Sequence, residues 1–169
     1  GFFFTGADSE KLIIRPKPVY DEPIPSGNST AALVLMKAGL LCGNRKYLQL
    51  GRNVLESFSA TMKRQGTQMC EMLTAVDFSL GPCREVVIAG KRGEPTTQKF
   101  MKITQKPFLP RNVVIFHEQG PPEAAIEQIN SFIHSQSEIH GKPAVYICEN
   151  YTCREPLTNP ESIQAALTP

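Results

Sequence analysis

Two stretches of this 169-residue chain carry side chains whose types and spacing could do chemistry. The first is RPKPVYDEPIPSGN, residues 15 to 28. Arg15, Lys17, Tyr20, Asp21, Ser26 and Asn28 could form a polar rim for a sugar, with Tyr20 stacking on a ring face and Asp21 accepting hydroxyl hydrogen bonds. Asp21 and Glu22 are adjacent, so on an extended loop they point to opposite sides and cannot act as a paired acid and base. The same residue types also serve turns and helix starts, and that plainer use of Asp21, Ser26 and Asn28 is favoured. The second stretch is CENYTC, in which Cys148 and Cys153 flank the end of an apolar run. They could be a redox pair or two metal ligands. A structural zinc site needs about four ligands, and His117, His134 and His140 provide no second pair at the required spacing. Free thiols in a small core are therefore favoured over a metal site, and neither a metal nor a cofactor is expected.

Weaker signals lie elsewhere. Gly90-Lys91-Arg92-Gly93-Glu94 could seat a phosphate between a strand and a helix, but it lacks the dinucleotide and Walker patterns and reads as a plain turn. His117, beside Glu118, reads as a solvated loop histidine rather than a proton shuttle. No GxSxG elbow is present, so nucleophilic catalysis has no support.

Composition narrows the partners. Eighteen Lys and Arg against sixteen Asp and Glu give a formal charge of +2, which supplies no electrostatic reason to expect nucleic acid or an anionic membrane. No apolar run approaches the roughly 20 residues that span a bilayer. Five cysteines without a CxxC pair argue against a disulfide framework and suit a reducing intracellular compartment. The chain starts at Gly1-Phe2-Phe3-Phe4 without an initiating Met, so a fragment is expected and secretion stays open. Asn28-Ser29-Thr30 and Asn150-Tyr151-Thr152 match the glycosylation pattern, which matters only for a secreted protein.

The elements that must position these residues can be read from periodicity. Phe2 to Thr5 and Leu12 to Ile14 suggest a short β-hairpin, followed by a proline-rich extended loop. Helices are expected from Ser26 to Leu41, Arg45 to Met62 and Gln68 to Leu80, the first nearly surrounded by protein because its apolar residues occupy more than one face. After Gly81-Pro82 the pattern changes to strands at 85–90, 112–116 and 144–148, alternating with helices at 97–104 and 122–139 and closed by a helix at 160–167. Alternation of this kind predicts right-handed crossovers and a three-stranded parallel sheet. The expected domains are thus 1–81, helical, and 82–169, α/β.

Three segments in order, GFFFTGADSEKLIIRPKPVYDEPIPSGNSTAA, AVDFSLGPCREVVIAG and AVYICENYTCREPLTNPESI, resemble the C-terminal region of the spermatogenesis-associated protein 20 family. In that family the region follows a thioredoxin-like domain and most of a helical toroid related to six-hairpin glycosidases and sugar 2-epimerases. The resemblance implies that residues 1–81 are closing hairpins of an (α/α) toroid whose loops line a carbohydrate-type cleft, with the α/β part as a subdomain. It implies partners as well: the upstream toroid and thioredoxin-like domain of a parent chain, and a carbohydrate ligand. The fragment alone is expected to be inactive, and the parent to be epimerase-like or glycosidase-like. The alternative is a non-catalytic, redox-linked binding or regulatory protein with a role in spermatogenesis.

Overall fold

The computed structural model describes residues 1–10, 12–118 and 125–168. They divide into one unit of Gly1–Gly39 and Asn44–Gly81 and a second of Leu40–Gly43 and Pro82–Pro169.

The first unit is built on three helices, α1 (Gly27–Leu41), α2 (Arg45–Gln65) and α3 (Cys70–Leu80), with a 3-10 turn at Gly66–Gln68 before α3. Ser26 starts α1 by accepting the Ser29 amide at 3.1 Å, and Asn44 starts α2 by accepting the Lys46 amide at 3.0 Å. Two glycines set how closely α1 and α2 approach. A Cβ on Gly51 would stand 2.8 Å from the Ala32 carbonyl oxygen, and one on Gly39 would stand 2.8 Å from the Leu48 nitrogen. Ala32, Met36, Val54, Leu55, Met72, Ala75 and Phe78 are buried.

Two expectations fail in this unit. Residues 2–5 and 12–14 form no strand. The two apolar runs are too short for a stable isolated hairpin, and the segment is held instead by the Phe4 amide on the Pro16 carbonyl and by side chains described below. Nor is α1 surrounded: its buried residues are Asn28, Ser29, Ala32, Met36 and Gly39, whereas Val34 is 55% exposed.

The second unit contains β1 (Arg84–Ala89), α4 (Pro95–Gln105), β2 (Asn112–His117), α5 (Ala125–Ile129), a 3-10 turn at Ser131–Ser135, β3 (Ala144–Glu149), β4 (Thr152–Cys153) and α6 (Pro160–Leu167). Asn159 caps α6 through the Ser162 amide at 2.8 Å, with Pro160 in the first turn. The sheet order is β2-β1-β3-β4. Only β1 and β2 are parallel; β3 is antiparallel to β1, and β4 to β3.

The expected three-stranded parallel sheet is therefore wrong: the sheet is mixed and has four strands. The reason lies in the second connection. One long crossover helix over 122–139 is not formed: residues 122–124 lie outside the described residues, α5 ends at Ile129, and the 3-10 turn at Ser131–Ser135 and the Ile139–Lys142 bridge follow it. The chain enters β3 at the end where it left β2, and β3 runs antiparallel. The fourth strand, two residues long, gives no periodic signal.

Both faces of the sheet are covered. Val86, Ile88, Val145 and Ile147 point to one side and pack with Phe100 of α4 and Ile163 and Leu167 of α6. Val87, Ala89, Ile115, Ala144, Tyr146 and Cys148 point to the other, against Ile133 of the 3-10 turn.

Candidate functional site

The six residues of the proline-rich loop are largely occupied in holding the first unit together. Asp21 Oδ1 accepts the Ser26 amide and Oδ2 the Glu71 amide, both at 2.8 Å, so one carboxylate ties the loop to the first turn of α3. Ser26 Oγ bonds the Val19 carbonyl at 3.2 Å and the Ser29 hydroxyl at 2.8 Å. Asn28 is buried; it accepts the Phe2 amide at 2.6 Å and donates to the Phe2 and Pro18 carbonyls at 3.0 and 2.8 Å. Arg15 donates to Thr5, and its guanidinium lies 4.3 Å from the centre of the Phe3 ring, with Lys17 Nζ at 4.4 Å from the same ring. The Tyr20 hydroxyl donates to Gln65 Oε1. The structure thus brings Arg15 and Lys17 together on Phe3, and commits Asp21, Ser26 and Asn28 to backbone groups.

This predicts the behaviour of Asp21→Ala. Loss of both amide contacts should lower the stability of the helical unit by about 2 kcal/mol. Thermal melts of the full chain with and without a panel of free monosaccharides check it. A sugar-dependent rise in Tm that disappears in the variant would assign Asp21 a binding role instead.

The phosphate-cradle reading of residues 90–94 also meets an occupied site. The Arg92 amide donates to Glu118 Oε1 at 3.0 Å, and the Arg92 guanidinium lies over the Phe116 ring. A groove of about 210 Å³ lies between α4 and α6, lined by Ile103, Lys106, Pro107, Gln164, Leu167 and Thr168, on the opposite side of the sheet from Cys148.

A denser arrangement of polar groups lies on the second face of the sheet. Cys148 of β3 and Cys153 of β4 are cross-strand partners and form a disulfide, with their Cα atoms 3.9 Å apart. Asn150 and Tyr151, both at positive φ (52° and 62°), make the two-residue turn between the strands, the geometry that matches strand twist in a tight hairpin. The plainer assignment of two free thiols is thereby replaced; Cys42, Cys70 and Cys83 are outside the disulfide. Cys148 is fully buried and Cys153 partly so.

Gln136, just after the 3-10 turn, is buried and donates through Nε2 to Cys153 Sγ at 3.2 Å and to Cys148 Sγ at 3.7 Å. Its Oε1 is buried with no hydrogen-bond partner. The Gln136 backbone carbonyl lies 2.6 Å from Nδ1 of His117, and the other ring nitrogen of His117 is hydrogen-bonded to Glu127 Oε1 at 2.6 Å. His134 Nδ1 stands 3.2 Å from Glu127 Oε2. His117 is fully buried, not a solvated loop residue. It ends β2 on the same face as Val113 and Ile115, and together with Glu127 it pins the α5 region to the sheet.

One more carboxyl belongs to this face. Glu85 is 4% exposed, is the register partner of Cys148, and has a buried Oε2 with no hydrogen-bond partner. Cross-strand partners share a face with Cβ atoms about 4.5–5.5 Å apart, so Glu85, Cys148 and Cys153 form a row across β1, β3 and β4. Loss of hydration pushes the Glu85 carboxyl up to about 7. Its neighbour Arg84 sits on the opposite face, 4.0 Å from Glu149.

Sequence reasoning named the two cysteines but missed Glu85, Glu127 and Gln136. Glu85 left a signal, an acid two residues before Val87 in the apolar run REVVIAG and hence on the same buried side of a strand. Gln136 left none, because an irregular segment places it, and Glu127 of α5 meets His117 only through tertiary packing. Among the described residues no group of three His, Cys, Asp or Glu side chains is positioned to hold a metal ion, and no helix is long and apolar enough to cross a membrane.

The fold and site define a helical unit joined to an α/β unit of mixed sheet with a hairpin disulfide on one face. Spermatogenesis-associated protein 20 of Homo sapiens is 25% identical over 170 residues, which is 100% of this chain and 22% of that protein. The proteins of the same name from Rattus norvegicus and Mus musculus are 26% and 25% identical over 168 residues, 99% of this chain and 21% of theirs. The chain is homologous to these proteins over its whole length, consistent with the C-terminal region of that family, and spans about a fifth of the length of the curated relatives it matches. No family model matches the chain, and no solved structure does.

Proposed function

We propose that the α/β unit carries a thiol–disulfide site in which Cys148 and Cys153 cycle between dithiol and disulfide, in a redox-linked binding or regulatory protein. The observation that carries this reading is the amide of Gln136. Its Nε2 donates to the sulfurs of the disulfide, while its Oε1 stays buried and unpartnered on the same side chain. Disulfide sulfurs can only accept, whereas thiols donate, so one amide has a partner group for each state of the pair.

Energetics point the same way. A disulfide closing so short a loop removes little chain entropy, about 2 kcal/mol at most, and the Asn150–Tyr151 turn already closes that loop. Reduction should therefore lower Tm by at most about 10 °C. Redox titration of the full chain in glutathione buffers, followed by alkylation and mass mapping, tests the site. Cys153 should become alkylated without denaturant as the buffer becomes reducing, and the buried Cys148 freed in the same molecules should be labelled after acid quench and unfolding. A pair that stays blocked until the chain is unfolded would make the disulfide structural and refute the reading.

A second reading concerns the helical unit. Exposed large apolar side chains concentrate there, among them Phe4, Ile13, Ile14, Ile24, Val34 and Leu80. We propose that this surface packs against further helices of a longer protein, as closing hairpins of the toroid implied by the resemblance. Any carbohydrate cleft would then draw on Tyr20, Arg15 and Lys17, since Asp21, Ser26 and Asn28 are engaged with backbone. The relatives' name links them to spermatogenesis, and we extend that context to this chain. Sedimentation of the chain as a monomer at high concentration would count against the apolar surface being an interface.

A further inference from the structure

We propose that Glu85 is the acid–base group of the Cys148–Cys153 pair, protonating Cys148 when an external thiol opens the disulfide at Cys153. The inference rests on the thiol–disulfide reading above and adds the residue that moves the proton, the sulfur that is attacked and the class of co-reactant.

The direction of attack follows from burial. Cys153 is partly exposed and Cys148 is fully enclosed, so an incoming thiolate meets Sγ of Cys153. The new bond joins the external sulfur to Cys153 as the Cys148–Cys153 bond breaks, and the electron pair leaves on Cys148. One disulfide replaces another, and a second external thiol then releases Cys153 as a thiol and leaves with the first as an external disulfide. The co-reactant is a small or protein thiol.

The leaving thiolate is the costly species. Cys148 lies among Val87, Ala89, Ile115, Ile133, Ala144 and Tyr146, an apolar setting that raises a thiol's affinity for its proton. The other groups on this face are occupied. The Tyr146 hydroxyl donates to the Ser137 carbonyl at 2.7 Å, and His117 and His134 both face Glu127. On β2 the register partner of Glu85 is Val113. That leaves the Glu85 carboxyl, in the next position across the sheet from Cys148, with one oxygen unpartnered. Burial pushes it up to about 7, so near neutrality it can give a proton to the leaving sulfur and take one back when Cys148 attacks in the reverse direction.

The test is the rate at which reduced glutathione opens the disulfide in the oxidised full chain, read by mass spectrometry from pH 5.5 to 8.5 and corrected for the glutathione thiolate fraction. The wild-type corrected rate should fall as pH rises through about 7. Glu85→Gln, with circular dichroism showing that it is folded, should be slower at pH 6 by on the order of a hundredfold and show no such fall. Glu85→Asp should restore the pH dependence at a reduced rate, which a purely structural role would not do. Glu85→Gln opening within twofold of wild type with an unchanged profile overturns the role of Glu85 while leaving the redox site standing. A disulfide that glutathione opens in none of the three chains overturns the redox reading itself.

Discussion

Phe100→Ala should lower the stability of the α/β unit by about 3–5 kcal/mol. The ring is fully buried and belongs to the cluster formed by Val86 and Ile88 of β1, Val145 and Ile147 of β3, and Ile163 and Leu167 of α6. It is thus the side chain through which α4 packs on two neighbouring strands and on the last helix. Close packing leaves such a site little freedom to collapse, so a cavity term adds to the lost transfer free energy. Because the chain has two units, the effect should be read locally, as faster hydrogen exchange of the Val86, Val87 and Ile88 amides and as a lower urea midpoint. Phe108→Ala is the control: the residue is 86% exposed, and its loss should change stability by less than about 0.5 kcal/mol. A loss of under about 1 kcal/mol for Phe100→Ala would mean that the sheet does not depend on this packing.

The parts of the fold legible in the sequence were those fixed by local pattern. The apolar run from Val86 to Ala89 could only be a buried strand, and Asn159-Pro160 announced α6 through cap chemistry that the structure shows at 2.8 Å. Strand direction was not legible, because it depends on where the connection after β2 breaks its helix rather than on the strands themselves. Alternating strands and helices suggested crossovers, and the end of α5 at Ile129, with a 3-10 turn after it, undoes that inference. The loop before α1 was legible in kind but not in partner. Asp21, Ser26 and Asn28 have the side chains of turn and cap residues, yet that Asp21 reaches Glu71, fifty positions later, follows only from tertiary packing. The same holds on the sheet. Cys148 and Cys153 announced themselves by type and spacing, whereas Glu85 becomes a neighbour of Cys148 only through the antiparallel register of β1 with β3. A parallel β3 would have placed other residues beside it.

Glu85 should also make the stability of the α/β unit fall as pH rises. Its carboxyl titrates near 4.5 when unfolded and at about 7 when folded, so between those values the native state holds a proton that the unfolded state has released. Stability therefore declines from about pH 4.5 onward and levels off once the folded carboxyl has ionised. The full difference between the two values corresponds to no more than about 3 kcal/mol, and water reaching the carboxylate at high pH would reduce it. Glu85→Gln keeps the shape and stays neutral. It should match wild type near pH 4, exceed it by on the order of 1–3 kcal/mol at pH 8.5, and lack this share of the decline. Urea unfolding of both chains at half-unit pH steps gives the comparison, and the difference curve cancels whatever His117, His134 and Glu127 contribute. Parallel curves for the two chains would show that Glu85 ionises freely in the folded state, and that the carboxyl beside Cys148 is hydrated rather than enclosed. A difference curve that keeps falling until about pH 7 and levels off above it would instead show that β1 stores a proton next to the disulfide up to neutral pH, where an exchanging thiol requires it.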